Sequence, residues 1–387
     1  MSRTTARRVV VASRVFVPDV AAAAFRLRAL VTGLDSRGAD VQVLTTTPPR
    51  GLVAPAVPAR VRRWPVLRDA GGNVRGYVQY LSYDIPAFFR LLLTDADVVV
   101  SEPPPTTGAV VALTSWLRRR PYVYYAADVW SEALAAMTVP APVIALMRAV
   151  EGRVLRHAAA VIAVSDVVGE QVQSFGVPAE RVTVVGNGVD TGTFRPTDAP
   201  AAAGEDPYVV YTGTMSEWQG ADVFVEAMAI VARRHPRARL RFFGQGSDEA
   251  HLRDLAGRLC PENVVFGGVV PPAEAAAWIS GASAALVSIK PDQGYDFAKP
   301  TKIYAAAACG TPVIFAGKGA GAAVVARNDL GDAVDHTPEA VAAAIEARLT
   351  ASSTDAEREH RLAWVRDHAS LAASGEHAAD AVLAVVR

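Results

Sequence analysis

Arg195-Pro-Thr-Asp-Ala-Pro-Ala-Ala-Ala-Gly-Glu-Asp-Pro207 runs straight into Tyr208-Val209-Val210-Tyr211-Thr212-Gly213. The first stretch is rich in Pro, Ala and acid and has no apolar period that could face a core, so it reads as a linker. The second reads as a strand closed by a glycine turn. On both sides of the break, short β-rich apolar runs alternate with longer helical patterns. Upstream, strands are expected at Val9–Ala12, Val41–Leu44, Val98–Val100, Tyr122–Tyr125, Val161–Val164 and Val182–Val185, with helices near 22–34, 76–93, 107–118, 141–157 and 167–174. Downstream, strands are expected at Tyr208–Tyr211, Leu240–Phe243, Val264–Phe266, Ala285–Val287 and Val313–Phe315, with helices near 221–234, 249–258, 273–280, 300–308, 320–327 and 337–349. Runs apolar on both faces suit parallel strands covered by helices. The alternation predicts an α/β protein of two tandem Rossmann-like doubly wound domains facing each other across a cleft.

The expected division is 1–195 for the first domain, 196–207 for the linker and 208–365 for the second. Residues 366–387 are expected to form a helix that packs back on the first domain. With 387 residues, two domains is also the prior from length. A hydrophobic content of 51% with 20% charged residues describes an ordered globular chain. Met1–Arg8 is polar and basic and leads into a short apolar run, which reads as a first strand rather than a signal peptide. No run reaches the length of a membrane span. Cys260 and Cys309 offer neither a disulfide framework nor paired metal ligands. The expected location is the cytoplasm.

The formal charge is zero, with 39 Lys+Arg against 39 Asp+Glu, which argues against a strongly basic nucleic-acid binder. The balance conceals a split. Residues 1–195 hold 22 basic and 15 acidic residues, and the remainder 17 and 24. Only four of the cations are lysines, Lys290, Lys299, Lys302 and Lys318, and all lie in one stretch.

That stretch is the richest in chemistry. Strand Ala284–Ser288 is followed by Lys290, Lys299-Pro300-Thr301-Lys302 and a helix of small residues, Ile303–Cys309. Pro300 suits the first turn of a helix. Thr301 and Lys302 then stand where free backbone N–H groups and the positive helix end meet a ligand. A diphosphate fits this set, and a solvated surface loop is the alternative. Gly213-Thr214, with Gln219-Gly220 opening the next helix, and Phe243-Gly244-Gln245-Gly246 are further strand-to-helix glycine turns that let backbone approach an anion. Gly317-Lys318-Gly319-Ala320-Gly321-Ala322 has the spacing of a dinucleotide fingerprint but follows the fifth strand of its domain. It is expected to wall the anion pocket rather than bind a nicotinamide cofactor.

In the first domain, Tyr124-Tyr125-Ala126-Ala127-Asp128-Val129-Trp130 ends a strand, and Glu102 ends another. An acid at a strand's carboxyl end is a candidate for acceptor contact or proton handling. Capping of the next helix is the alternative for Asp128. Asn187-Gly188 closes the domain in a tight turn. Asp95-Ala96-Asp97 precedes its strand and reads as a turn. No His/Cys/Asp spacing indicates a metal.

Together these segments resemble the two-domain GT-B glycosyltransferases, specifically the retaining family 4. The resemblance runs over essentially the whole chain. It rests on Val161–Ser165, Val184-Val185-Gly186-Asn187-Gly188-Val189-Asp190, Gly213 with Gln219-Gly220 and Glu226-Ala227, Phe243–Gly246, Asn263–Gly267, and Pro300–Tyr304 through Gly310–Ile314. Asp128-Val129-Trp130 and Gln219-Gly220 resemble the WbuB-like branch of bacterial N-acetylfucosamine transferases. The resemblance implies sugar transfer from a nucleotide diphosphate sugar, UDP-sugar first among donors, to a hydroxyl of a glycan, lipid-linked or natural-product acceptor. Configuration would be retained, with neither metal nor cofactor. Gly213, Thr214, Gln219, Gly244, Gly246, Lys290, Lys299, Thr301, Lys302 and Gly319 would hold the donor. Glu102, Asp128, Trp130 and Asn187 would meet the acceptor, with Asp128 and Lys302 taking part in the chemistry. The family's two glutamates around this helix are replaced by Phe297 and Ala305. That departure leaves a catalytically silent GT-B partner or sugar-binding protein, or a sugar-nucleotide epimerase, as alternatives.

Basic clusters at Arg60, Arg62, Arg63 and Arg118-Arg119-Arg120, with Tyr77, Tyr80, Tyr83, Phe88 and Phe89 near them in sequence, suggest a first domain able to rest on an anionic membrane. A solvated helix face over core aromatics is the competing reading.

Overall fold

The computed structural model describes residues 6–19, 21–48, 54–68, 74, 76–131, 140–186, 188–198, 206–351 and 353–386. The chain divides into two units, Met1–Asn187 with Leu371–Arg387, and Gly188–Ser370.

The first unit is a seven-stranded parallel sheet: β1 (Arg8–Ala12), β2 (Asp40–Thr46), β3 (Arg60–Trp64), β4 (Val98–Ser101), β5 (Tyr122–Ala126), β6 (Ala160–Ala163) and β7 (Val182–Val184), in the order β3-β2-β1-β4-β5-β6-β7. Val9, Val10, Val11, Val98, Val99 and Val100 are all buried, as strands covered on both faces require. The connecting helices are α1 (Ala22–Ser36), α2 (Tyr77–Leu93), α3 (Pro105–Leu117), α4 (Ala141–His157) and α5 (Asp166–Ser174). Ser165 caps α5, accepting from the Val168 amide at 3.3 Å.

Strand β3 was not expected. Its sequence, Arg60-Val-Arg-Arg-Trp64, reads as a basic cluster, yet it pairs in parallel with Gln42–Thr46. It is the sheet's edge, where charged side chains are the rule because they block further pairing.

The second unit is a six-stranded parallel sheet: β8 (Tyr208–Thr212), β9 (Arg239–Phe243), β10 (Val264–Gly268), β11 (Ala284–Ser288), β12 (Val313–Ala316) and β13 (Gly331–Val334), in the order β10-β9-β8-β11-β12-β13. Its helices are α6 (Asp222–Val231), α7 (Glu249–Leu259), α8 (Pro272–Ser280), α9 (Thr301–Ala308), α10 (Gly319–Arg327), α11 (Pro338–Thr350) and α12 (Asp355–His368). Edge strand β13, Gly-Asp-Ala-Val, was again too short and polar to read from the sequence.

The boundaries shift from those expected. The first crossing falls at residue 187 rather than 195, because Val189 already belongs to the second unit. Its amide donates to Ala369 O at 2.8 Å, it bridges to Ser370, and Phe194 packs on the same core. The return crossing falls after Ser370 rather than at 366, since Val365 and Ala369 are buried in that core. The last helix, α13 (Leu371–Ala384), lies on α1 within the first unit. Backbones touch there: a Cβ on Gly33 would come within 2.7 Å of Gly375 O, and one on Gly375 within 2.4 Å of Ala29 O. Most of the expected linker, 199–205, lies outside the described residues.

Candidate functional site

In each unit the order of strands reverses beside its first strand, β1 between β2 and β4, and β8 between β9 and β11. Ligands of such sheets meet the carboxyl ends of the strands at that point.

In the second unit those ends are built from glycine. Gly213 ends β8 with φ 110° and Gly244 ends β9 with φ 132°, a backbone region closed to most side chains. The two turns lie directly on one another. A Cβ on Gly244 would stand 1.9 Å from Gly213 O, and one on Gly246 1.9 Å from Met215 O. Gly213 N donates to Phe243 O at 2.8 Å and Met215 N to Gln245 O at 3.1 Å. Gly244 and Gly246 are therefore required by backbone contact, and Gly213 by its positive φ, before any ligand arrives.

Lys302, in the first turn of α9, reaches across to this pair of turns. Its aliphatic chain lies on Gly213, whose added Cβ would meet Cε at 3.0 Å. The ammonium donates to Thr214 O at 2.9 Å and to Tyr211 Oη, and lies 3.8 Å from the centre of the Tyr211 ring. No carboxylate pairs with it among the described residues. Burial pushes its pKa down to about 7. Pro300 precedes α9, which lacks a side-chain cap, and Thr301 at its start is exposed. The geometry assembles an uncompensated cation, a helix N-terminus and two glycine turns at one sheet edge.

The other expected donor residues divide. Lys290, Lys299 and Lys318 are exposed, and the Lys290 amide donates to Trp218 O at 3.0 Å. Thr214 is exposed and takes part through its carbonyl. Gln219 corrects the expectation, because it is buried and its amide is engaged. Oε1 accepts from Ser216 N at 3.2 Å in a reciprocal cap and lies 2.9 Å from Tyr211 Oη. It shapes the turn instead of presenting itself to a ligand. Gly319 (φ 80°) admits the loop before α9, since its Cβ would fall 2.1 Å from Asp296 O.

Tyr211, which positions Lys302, and His336, whose Nε2 lies 2.9 Å from Gly220 O, were missed. Nothing local in the sequence couples them to the loop. Phe297, at one of the two glutamate positions, is exposed beside Tyr295. Tyr295 in turn stacks on Trp218 with ring centres 4.6 Å apart. Ala305, at the other, is buried in α9.

The first unit's strand ends carry two acids, Glu102 and Asp128, and they differ. Glu102 is buried, accepts from Ser13 Oγ and lies 3.7 Å from Arg26 Nη2. Burial raises its pKa, against the pull of Arg26. It is thus a buried structural acid rather than an exposed acceptor contact. Asp128 differs: it is exposed, and the surrounding protein raises its pKa, with Arg26 again opposing.

Asp128 does not cap the segment that follows. The amides of Trp130 and Ser131 donate instead to Glu151 on α4, at 2.8 and 2.9 Å. Glu151 is buried, and sequence distance hid it. Trp130 is held edge-on against Tyr80, centroids 5.7 Å apart. Asn187 lies outside the described residues. Among the described residues no cluster of His, Cys, Asp or Glu could hold a metal ion.

The fold and the two strand-end sites define a GT-B architecture. Anabaena HepE, solved in complex with UDP, superposes with TM-score 0.65 at 16% identity over 98% of this chain and all of that one. A glycosyltransferase from Rickettsia africae gives TM-score 0.70 at 14% identity over 99% of each. Residues 21–188 match the glycosyl transferase 4-like domain and 206–351 the glycosyl transferases group 1 model. Each unit thus matches a glycosyl transferase domain model, and the fold is that of the GT-B proteins. Among curated relatives, the D-inositol 3-phosphate glycosyltransferase of Segniliparus rotundus is 32% identical over 58% of this chain and 51% of its own length. The chain spans about half the length of the curated relatives it matches.

Proposed function

We propose that this protein transfers a glycosyl group from a nucleotide diphosphate sugar to an acceptor hydroxyl, without metal and with retention of configuration. The observation that carries the reading is Lys302, a half-buried ammonium with no carboxylate partner, set against two glycine turns at the helix N-terminus of the second sheet. Such a group stabilises negative charge that develops as the diphosphate leaves. An arriving diphosphate supplies the missing counter-charge and restores the lysine's proton affinity. Asp128 is the exposed acid at the other unit's strand ends, and we assign it to the acceptor hydroxyl.

UDP is the first base to test, since HepE was solved with UDP and UDP-glucose. An inositol phosphate belongs among the acceptors tried, following the name of the Segniliparus relative. Asp128-Val129-Trp130 and Gln219-Gly220 favour the WbuB-like branch, which puts amino-sugar donors on the same screen. The test is a calorimetric titration with UDP, GDP, dTDP and ADP in the presence of EDTA. Binding of one of them, followed by release of that diphosphate from its sugar and a product of unchanged anomeric configuration, is expected. Failure of all four to bind would overturn the reading.

A second reading, a catalytically silent sugar-nucleotide binder, is favoured by the replacement of both glutamates by Phe297 and Ala305. Turnover with any donor removes it.

A further inference from the structure

Helices α2 and α3 are turned inside out. Every position of α2 whose side chain is described as exposed is apolar: Val78, Leu81, Ile85, Phe89 and Leu93, the last 86% exposed. The exposed positions of α3 are Leu113, Trp116 and Leu117, with Trp116 74% exposed. The polar residues of these helices face inward instead. Asp84 is buried and accepts from Thr107 Oγ1 at 2.6 Å, while Thr114 and Ser115 are buried too. The ends of the two helices are tied together, with Arg120 donating to Leu91 O and Thr94 O at 2.8 and 2.7 Å. The apolar surface is therefore continuous from one helix to the other. An exposed patch of this kind marks an interaction site.

Its surroundings say which kind. Arg62 and Arg119 are exposed and unpaired among the described residues. The acids nearest in sequence are already neutralised or buried: Asp95 pairs with Arg118 and Asp97 with Arg8, while Asp84 is enclosed. Beyond α3, a cavity of about 540 Å³ opens toward α4. Leu113, Trp116, Val150 and Val154 line it together with Arg120, Arg153 and His157. Apolar helix faces lying side by side, an exposed tryptophan and unopposed arginines around them match the chemistry of an anionic bilayer surface.

We propose that α2 and α3 form a membrane-docking face that lies in the headgroup region of an anionic bilayer without crossing it. No described helix is long and apolar enough to span a membrane. This face keeps Phe89, Arg62 and Arg119 of the set the sequence suggested and drops its tyrosines. Tyr80 and Tyr83 belong to the core, with Tyr83 stacked on Trp64 at 4.9 Å and donating to Leu44 O. The docking residues are the exposed ones of the opposite stripe, Val78, Leu81, Ile85, Phe89 and Leu93, with Leu113, Trp116 and Leu117 of α3.

The inference is independent of glycosyl transfer, and its test reads vesicle binding alone. The full chain is sedimented with vesicles of phosphatidylcholine, or of phosphatidylcholine mixed with phosphatidylglycerol. Preferential pelleting with the anionic vesicles is expected, weakened by salt. Ile85→Glu with Phe89→Glu should reduce binding at least about tenfold, and Arg62→Glu with Arg119→Glu about tenfold. Arg233→Glu, the same kind of substitution at an exposed site of the second unit, should leave binding unchanged. Unfolding midpoints of all variants confirm that each is folded; substitutions at solvent-facing positions should not lower them. Wild type left in the supernatant, or α2 variants that pellet as wild type does, overturns the proposal. So does a lipid-free dimer in sedimentation velocity that these variants dissolve, with no vesicle binding, since it assigns the face to a second copy of the chain.

Discussion

The two sheets wind alike and end differently. In the first unit the carboxyl ends of the strands present acids, and the unit supplies partners for Glu102 there, Arg26 and Ser13, as it does for the helix acids Asp84, with Thr107, and Glu151, with two backbone amides. In the second the same ends present glycines, and one cation, Lys302, is left with dipoles and a ring but no carboxylate. A strand end that has satisfied its own charges is finished as structure. One that has not is waiting for a ligand. By that criterion, among the described residues, Asp128 remains open in the first unit and the half-buried Lys302 in the second.

The comparison can be broken most severely at the stacked turns. Gly244→Ala and Gly246→Ala each push a Cβ to 1.9 Å from a carbonyl oxygen. Each should cost about 3 kcal/mol or more, read as a lowered unfolding midpoint together with lost nucleotide binding. Gly169→Ala in the first unit meets only Val184 Cγ2 at 3.2 Å and should cost under about 1 kcal/mol.

Asp128→Asn tests the open acid. Turnover should fall by about a hundredfold with nucleoside diphosphate affinity and unfolding midpoint unchanged. A change in the midpoint instead would class Asp128 with the satisfied acids.

Lys302→Met should weaken diphosphate binding by about thirtyfold. The wild type should also bind less tightly as pH rises from 7 to 9, because the ammonium with its pKa of about 7 is being lost, and the variant should lose that slope. Stability runs the opposite way. The folded protein sheds this proton near pH 7 while the unfolded chain keeps it to about 10.5, so the burial penalty is full below pH 7 and relieved across that window. Free wild type should therefore gain on Lys302→Met in urea unfolding as pH rises from 7 toward 10.

Glu151→Ala should destabilise the first unit by about 2 kcal/mol, through two orphaned amides, with the diphosphate site untouched. The smallest effect belongs to Lys290→Ala. Its ammonium is exposed and screened, and affinity should change less than about threefold.

What the sequence made legible follows from which interactions are local. The wound sheets announced themselves through Val9–Val11, Val98–Val100 and Tyr208–Tyr211, because a strand buried on both faces must be apolar throughout. The lysine cluster pointed to α9 because Pro300 fixes where a helix begins. Interactions that close over long sequence separations stayed hidden: Glu151 capping Trp130, and Tyr211 holding Lys302. Gln219 was misread because a capping glutamine and a ligand-binding one look alike until the partner of Oε1 is known. The faces of α2 were misread for a related reason. Periodicity marks an apolar stripe, and only the tertiary structure says whether that stripe is turned toward the core. Here one stripe, Tyr80, Tyr83, Ala87 and Leu91, is buried, and another faces out.

The close seating of α13 on α1, with Gly33 against Gly375, sets the order in which the molecule can be completed. Ala378, Ala379 and Val382 fill the same core as Leu27, Leu30 and Val31. The ribosome makes those two halves of one packing surface on either side of the whole second unit. The second unit is contiguous in the chain and can close as it emerges. The first begins earlier but must hold α1 uncovered until α13 is released, so the unit that starts first is completed after the one that interrupts it.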